Sequence, residues 1–435
     1  MNESTAIADL SLCAEEPIHA PGAVQPHGAL LVLNQDNLRI VQASESVQSL
    51  FGIAAADLIG QPLQSLIGEV EQRCLVQELA DEKIELMNPF RFRVMSRPEE
   101  KEFDAVIHRT DNLVIIEFEP AEIELPVDAL KFFRTSNASI SQVLSCTNVD
   151  SLFQSVADYV RTLTGFDRIM VYIFDHEWNG TVKAESRKDE AISYLGLQFP
   201  AADIPSQARE LYTRNSLRLL VDANAEPSKL FPPLSPLSGA PLDLSTSIFR
   251  SMSPIHIEYL HNMNVAASMS ISLVGKSGLR GLIACHHASA KQVSYQTRKA
   301  CDFLARLVSL RLDALEEKAN YNLLRQRQEE RKALLLDVSA ANDMLSGLTA
   351  SGQLLSVTGA RGAAVVWEGK CVLVGDTPDE HQIAVLTEAL KSQMTGLIYS
   401  TDSLSQSFPF AKSYQAQASG LLAARITSRG DNWLL

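Results

Sequence analysis

The chain has 435 residues, 46% of them hydrophobic and 21% charged, a balance that supports two to four globular domains, each with its own core. Its 38 basic and 52 acidic side chains give a net charge of −14, which, with no Lys/Arg-rich run, argues against nucleic acid or an anionic membrane as the main partner. No stretch reaches the ~20 apolar residues of a membrane helix, and the start, MNESTAIADLSLCAEEP, has neither the basic nor the apolar region of a signal peptide. Cys13, Cys74, Cys146, Cys285, Cys301 and Cys371 show no CxxC and no metal-ligand spacing, so reduced thiols in a cytoplasmic protein are expected.

Residues 1–27 read as an extended segment punctuated by Pro17, Pro21, Gly22 and Pro26. A compact unit follows over 28–126. GALLVLN (28–34) and LRIVQAS (38–44) are predicted strands joined by a turn at Gln35-Asp36-Asn37, short helices come next, and FRFRVM (90–95), FDAVIHR (103–109) and LVIIEFE (113–119) complete a five-stranded PAS-type sheet.

A second unit, 127–294, opens with helices. Asp150 is placed to cap 150–164, where Leu152, Phe153, Val156, Tyr159, Val160 and Leu163 mark one buried face. DRIMVYIFD (167–175), GTVKAES (180–186), SMSISLVG (268–275) and LRGLIACHH (279–287) are predicted strands, the last two a hairpin across Lys276-Ser277-Gly278. The Pro-, Ser- and Leu-rich stretch 227–241 reads as a long loop. The layout is GAF-like.

From about Tyr295 to Met344 there is neither Gly nor Pro, and Leu304, Val308, Leu312, Leu315, Ala319 and Leu323 trace an apolar stripe. A helical spine over 295–346 that pairs in a homodimer is expected. A smaller α/β unit, 347–435, has strands around AAVVWEG and CVLVG and a helix from about His381, and its last residues, GDNWLL, read as the start of a further, cut strand. The fold class is therefore mixed α/β (α+β): several antiparallel-sheet sensor domains and one long helix.

There is no Walker A loop, GxSxG elbow, HExxH or CxxC, so an enzyme is a poor first reading. His286 and His287 are neighbours on a strand and point to opposite faces. A ligand site is better supported. If 250–261 is helical, Arg250, Ser253, His256 and Tyr259 fall along one side, joining a cation, a hydroxyl, an imidazole and a phenol. Upstream, FPAADIPSQARELYTRNSLRLL (199–220) supplies Asp203 between two prolines, then Arg209, Tyr212 and Arg218. Two guanidinium forks, Arg218 and Arg250, suit two carboxylates of one ligand. The plainer alternative for each residue is structural: arginines are often solvated or paired, and Glu210 and Glu258 are at hand. For Cys13 the alternative is a free thiol in a tail.

With these residues in view, the chain resembles the bacterial phytochromes. CAEEPIHAPGAVQPHGALLVL (13–33) is similar to their chromophore-attachment segment, FPAADIPSQARELYTRN (199–215) to their PASDIP block, and FRSMSPIHIEYLHNM (249–263) with SMSISL and GLIACHH (268–287) to the rest of the pocket. The resemblance spans 13–435 and is strongest to about residue 290. Ala202 stands where Ser is common and Asn264 where Gly is frequent.

The resemblance implies a PAS–GAF–partial PHY photosensory module that binds biliverdin. Cys13 would form a thioether with its ring A vinyl group, no cysteine being present in Ser253-Pro254-Ile255-His256. Asp203 and His256 would hold the pyrrole water. Arg218, Arg250, Tyr212 and Ser268 would bind the propionates, with Ser253 and Ser270 also against the cofactor. Tyr172, Phe199 and Tyr259 would wall ring D, and His286 would donate to its carbonyl. The resemblance further implies a figure-of-eight knot, the segment around Val24 threading the lasso at 227–257. It also implies a tongue and an output module beyond Leu435, commonly a histidine kinase addressing a response regulator. The rival readings are a bilin-binding form that does not photoconvert and a redox or small-ligand sensor without bilin.

Overall fold

The computed structural model describes residues 16–79, 84–95, 100–110, 112–121, 126–188, 192–394, 396–426 and 431–435; Cys13 lies outside them. Two compact units divide the chain, Met1–Glu316 and Glu317–Leu435.

The first unit holds two antiparallel sheets. One combines β1 (Ala23–Val24), β2 (Ala29–Asn34), β3 (Ile40–Ser44), β4 (Phe90–Val94), β5 (Lys101–Thr110), β6 (Leu113–Pro120) and β11 (Ser228–Phe231), in the order β1-β11-β3-β2-β6-β5-β4. The five predicted strands are there, with short helices between β3 and β4. β2 is apolar without alternation because both its faces are covered. Leu31 and Leu33 join the PAS-like core, while Leu30 and Val32 pack with Val24, Leu230, Leu244 and Phe249.

The stretch expected to be only a loop, 227–241, contains β11, which pairs with β1 on one side and β3 on the other. The segment around Val24 is held from both limbs of this excursion: Ala23 and Val24 pair with Lys229 and Ser228, and Val24 bridges Arg250. The Gln25 and Ser251 amides donate to Phe249 and Ala23. Pairing to both limbs is what a threaded lasso requires. Gly28 allows a close approach, since a Cβ there would lie 2.4 Å from the Phe249 ring.

The second sheet is built from β7 (Arg168–Phe174), β8 (Gly180–Arg187), β9 (Gln198–Phe199), β10 (Leu217–Leu220), β12 (Ala267–Gly275) and β13 (Gly278–His287), in the order β10-β12-β13-β7-β8-β9. Helix α1 (Val149–Thr164) packs on one face, and every residue of its predicted apolar set is buried or half-buried. Its cap is Asn148, not Asp150: the Asn148 Oδ1 accepts the Ser151 N–H at 2.8 Å. Asp150 sits in the first turn, where its charge complements the helix dipole. The same core takes in Leu304, Val308, Leu312 and Leu315 of α4 (Tyr295–Ala340). That helix stops short of the predicted Met344, where Asp343 caps a new helix. Its stripe is buried as far as Leu315, while Ala319 and Leu323 are exposed.

The second unit carries a five-stranded antiparallel sheet of β14 (Gly362–Trp367), β15 (Lys370–Gly375), β16 (Ile398–Thr401), β17 (Leu421–Arg425) and β18 (Trp433–Leu434), ordered β15-β14-β18-β17-β16. The strand expected in GDNWLL is β18, set centrally between β14 and β17 with Trp433 buried. The predicted helix near His381 runs Glu380–Gln393 behind a capping box of Asp379 and Gln382.

Candidate functional site

Strand parity creates the site. On β7, β12 and β13 the residues Ile169, Val171, Met269, Ile271, Ile283 and Cys285 enter the core under α1 and α4. Their neighbours Met170, Tyr172, Ser268, Ser270, Leu282, Ala284 and His286 therefore face the other way, and together they floor a cavity of about 260 Å³. His287, one step from His286, turns away and reaches Asp167 at 3.0 Å.

The walls come from two segments. In the first, a single 3₁₀ turn, Ala201–Asp203, leads through Pro205 into α2 (Ser206–Arg214). Arg209 braces the turn instead of facing the ligand space: it donates to the Ile204 carbonyl at 2.7 Å and lies 4.7 Å over the Trp178 ring. In the second, the helix expected over 250–261 is shorter. It is α3 (Pro254–Asn262), since Pro254 keeps Ser253 out of helical geometry and Ser253 becomes the N-cap, accepting the Ile255 N–H. Arg250 is extended backbone bridged to Val24, so it reaches the cavity from the lasso and not from a helix face.

Twelve of the predicted residues line this one cavity: Tyr172, Phe199, Asp203, Tyr212, Arg218, Arg250, Ser253, His256, Tyr259, Ser268, Ser270 and His286. Cys13 is outside the described residues. Glu210 pairs with Arg214, not with either cavity arginine. Among the described residues neither Arg218 nor Arg250 has a carboxylate partner. Arg218 donates at 3.0 Å to the carbonyls of Arg250 and Ser251, with its Nε 3.0 Å from the Met252 sulfur. Arg250 is only 4% exposed; it reaches the Leu244 carbonyl at 3.4 Å, and its Nε lacks any hydrogen-bond partner among the described residues.

Burial sets the ionisation of the lining. It pulls His256 down to about 4, helped by Arg218, and His286 down to about 4, helped by Arg168 and His256, so both imidazoles are neutral at pH 7. Arg218 is lowered by burial to about 10 and stays charged. Burial raises Asp203, against the Tyr259 hydroxyl that donates to it at 3.5 Å. The Tyr259 phenol is pushed up to about 12 by burial and by Asp203, and the Tyr172 phenol is raised by the same two causes.

A ligand with two carboxylates, an aromatic body and hydrogen-bonding nitrogens matches this set: two cations, one with an orphaned buried donor, acceptors at Asp203 and His256, and ring walls from Tyr172 and Phe199 at 5.9 Å. The residues fit a linear tetrapyrrole. Sequence reasoning missed Glu16, which also lines the cavity and is bonded to Ser253. Its signal was only its place three residues after Cys13. It also missed Met252 and Asn215, which carry no chemical signature.

A ligand cavity floored by the second sheet and walled by the N-terminal segment, the 3₁₀ turn with α2, and the lasso with α3 defines a small-molecule sensor module. Known proteins make the assignment specific. Residues 13–121 match the PAS fold, 148–312 the GAF domain and 327–435 the phytochrome region. Cyanobacterial phytochrome B of Nostoc sp. is 40% identical over 98% of this chain and 57% of its own length. A bacteriophytochrome of Xanthomonas campestris pv. campestris is 34% identical over 100% of this chain and 69% of its length. The solved photosensory core module of Stigmatella aurantiaca phytochrome superposes with a TM-score of 0.84 at 39% identity, over 97% of this chain and 84% of that one. A bacteriophytochrome from R. palustris gives 0.86 at 35%, over 98% and 85%. The chain belongs to the phytochrome photoreceptor family, as a bacteriophytochrome-type photosensory module, and the family implies a bilin chromophore. It spans a little over half the length of the first curated relatives. Among the described residues no helix is long and apolar enough to cross a membrane.

Proposed function

We propose that this chain is a red/far-red light sensor that binds biliverdin covalently through Cys13. Domain limits at 28–126, 127–294, 295–346 and 347–435 belong to the same reading. The observation that carries it is the convergence of Arg218, Arg250, Asp203, His256 and His286 on one cavity with an unpartnered buried guanidinium nitrogen.

The bound bilin supplies light absorption and isomerisation about its C15–C16 double bond; everything else falls to the protein. Arg218 and Arg250 anchor the propionates, with Tyr212, Ser268 and Ser270 adding hydroxyl donors, while Ser253 lies against the cofactor with its own proton on Glu16. Asp203, through its backbone carbonyl, and the neutral His256 hold a water at the pyrrole nitrogens and favour their protonated form. Neutral His286 donates one N–H to the ring D carbonyl, and Tyr172, Phe199 and Tyr259 give that ring an apolar, water-poor wall. Because the floor of the cavity and α4 share β12 and β13 as opposite faces of one sheet, a change at the floor is transmitted to the spine. Exposed Phe303 and Leu310 stand one heptad apart on α4 and Leu324 two heptads further, past Glu317, and this apolar face supports pairing into a homodimer. Output through a histidine kinase to a response regulator, in the cytoplasm, completes the reading.

Biliverdin added to the apoprotein tests it, with absorbance recorded before and after red light. A red-absorbing adduct that resists denaturation, is lost in Cys13→Ser and shifts reversibly on illumination is expected. Failure of the unaltered chain to form any adduct overturns the reading, and an adduct that does not photoconvert favours a purely bilin-binding role.

A further inference from the structure

β10 stands at the edge of the second sheet, with β12 as its one neighbour among the described residues, and it carries Arg218 opposite Ser270. A short edge strand paired on one side takes much of its placement from the way the chain enters it. The entry is the junction Asn215-Ser216, which leads in from α2, the helix that carries Tyr212. The Asn215 side chain donates to the Ser247 carbonyl at 3.2 Å, and the Ser216 carbonyl accepts the Ser272 amide at 2.7 Å. One further tie leaves the ligand side altogether: the Ser216 hydroxyl donates to Oδ1 of Asp302, 86 positions away on α4. Asp302 is buried, and its other oxygen accepts Arg306 Nη2 at 3.1 Å, one helical turn on. A serine hydroxyl has a single proton, and a carboxylate holds it more firmly than a neutral acceptor would. Neither Ser216 nor Asp302 is among the residues that line the cavity.

We infer that Asp302 is a positioning residue for the anion end of the cavity: through Ser216 it holds the start of β10 on α4, and so fixes where the Arg218 guanidinium meets a ligand carboxylate. This rests on the reading of Arg218 as a propionate anchor given above. Arg218 stands two residues beyond Ser216, a length of strand with no slack, so movement of the one is carried to the other. A guanidinium fork grips a carboxylate only when the two planes meet, and a group held within about 0.5 Å keeps that geometry where a looser one does not. Charge alone predicts the opposite sign. Asp302 has the same charge as the ligand's carboxylates, so its removal by itself would strengthen their binding. A loss of affinity on its removal therefore reports position.

Absorbance titration of the full chain with two probes tests this: biliverdin, and its dimethyl ester, which keeps the tetrapyrrole and lacks the carboxylates. Cys13→Ser in every sample keeps binding reversible. Asp302→Ala and Ser216→Ala are each expected to weaken biliverdin about five- to tenfold, the low end of coupling between sites, and to leave the ester's affinity unchanged. Asp302→Asn, which keeps an acceptor oxygen, should recover most of the loss. Combining Asp302→Ala with Ser216→Ala should add nothing to either alone, and neither should act once Arg218→Gln has removed the cation. Should Asp302→Ala fail to fold, Ser216→Ala carries the same comparison. Biliverdin affinity that stays level or rises in the alanine variants overturns the positioning role, as does an equal loss for both probes, while Arg218 remains an anchor. If the otherwise unaltered chain prefers biliverdin to its ester by no margin, the anchor reading fails and the positioning role with it.

Discussion

Arg298, in the first turn of α4, grips Glu119 of β6 with both arms, Nη2 at 2.5 Å from Oε1 and Nη1 at 3.0 Å from Oε2, and both side chains are buried. Two residues earlier on the same face of β6, Glu117 accepts the Ser247 hydroxyl and the Ile248 and Phe249 amides, and its Oε2 lies 2.9 Å from His108 Nε2. Ser247–Phe249 lead directly into Arg250. One strand of the PAS-like sheet thus holds both the lasso that delivers a cavity cation and the base of the helical spine.

Removing one partner of a buried ion pair strands the other charge. Arg298→Ala is expected to destabilise the protein by about 3–5 kcal/mol, read from urea denaturation at pH 7, because Glu119 keeps its burial and loses its only counter-charge among the described residues. Replacing the pair together, Arg298→Met with Glu119→Leu, should be close to neutral in stability. A loss of under about 1 kcal/mol for the single variant would contradict the structural role given to the pair.

Three buried histidines make the apoprotein acid-sensitive. His27, His256 and His286 are each lowered to about 4, by burial first and by nearby arginines second. With the folded value below the unfolded 6.5, the unfolded chain takes the proton first. Their contribution is complete above pH 6.5 and is lost as pH falls towards 4, at up to about 4 kcal/mol per pH unit for the three together. Glu117 acts in the same sense at lower pH: burial raises its pKa, but His108 and Ser247 outweigh that and hold it below the usual range. Glu119, raised by burial, works the other way. Urea midpoints at pH 7, 6 and 5 should fall steadily, and less steeply in His27→Gln.

Much of this site was legible because strand periodicity is a local property. The alternation in SMSISL and GLIACHH already separates Ser268, Ser270 and His286 from the core side, and the Pro-flanked Asp203 announces a fixed turn. What was illegible depends on contacts between distant segments. Arg250 was assigned to a helix face because its spacing to Ser253, His256 and Tyr259 imitates one, whereas pairing with Val24 holds it extended. Glu117 and Glu119 stand out in LVIIEFEP as charges inside an apolar strand, yet nothing near them in sequence names Ser247 or Arg298 as partners.

The cavity wall at Tyr172 depends on a residue with no side chain. A Cβ at Gly180 would fall 1.7 Å from the Tyr172 ring, which lies over the neighbouring strand. Gly180→Ala therefore drives the ring into the ligand space. A loss of about 1–3 kcal/mol in stability is expected, with weaker biliverdin binding by absorbance titration. Adding Tyr172→Val should restore stability, and a double variant as unstable as the single would show that the clash is not with that ring.

Arg250 separates stability from function most sharply. Its guanidinium is buried, with one long bond to a carbonyl and a protein-orphaned Nε, so it bears a desolvation cost that no carboxylate among the described residues offsets. Arg250→Met keeps the length and apolar packing of the side chain and removes the charge. The apoprotein should gain about 1–3 kcal/mol in urea denaturation, while biliverdin affinity falls because one propionate loses its anchor. Saturating bilin should then raise the thermal midpoint of the unaltered chain by more than that of the variant. If Arg250→Met destabilises the apoprotein, the arginine is satisfied without ligand and its role is structural. If the variant binds bilin undiminished, the propionate is held elsewhere, and Arg218, oriented by two backbone carbonyls, is the remaining candidate.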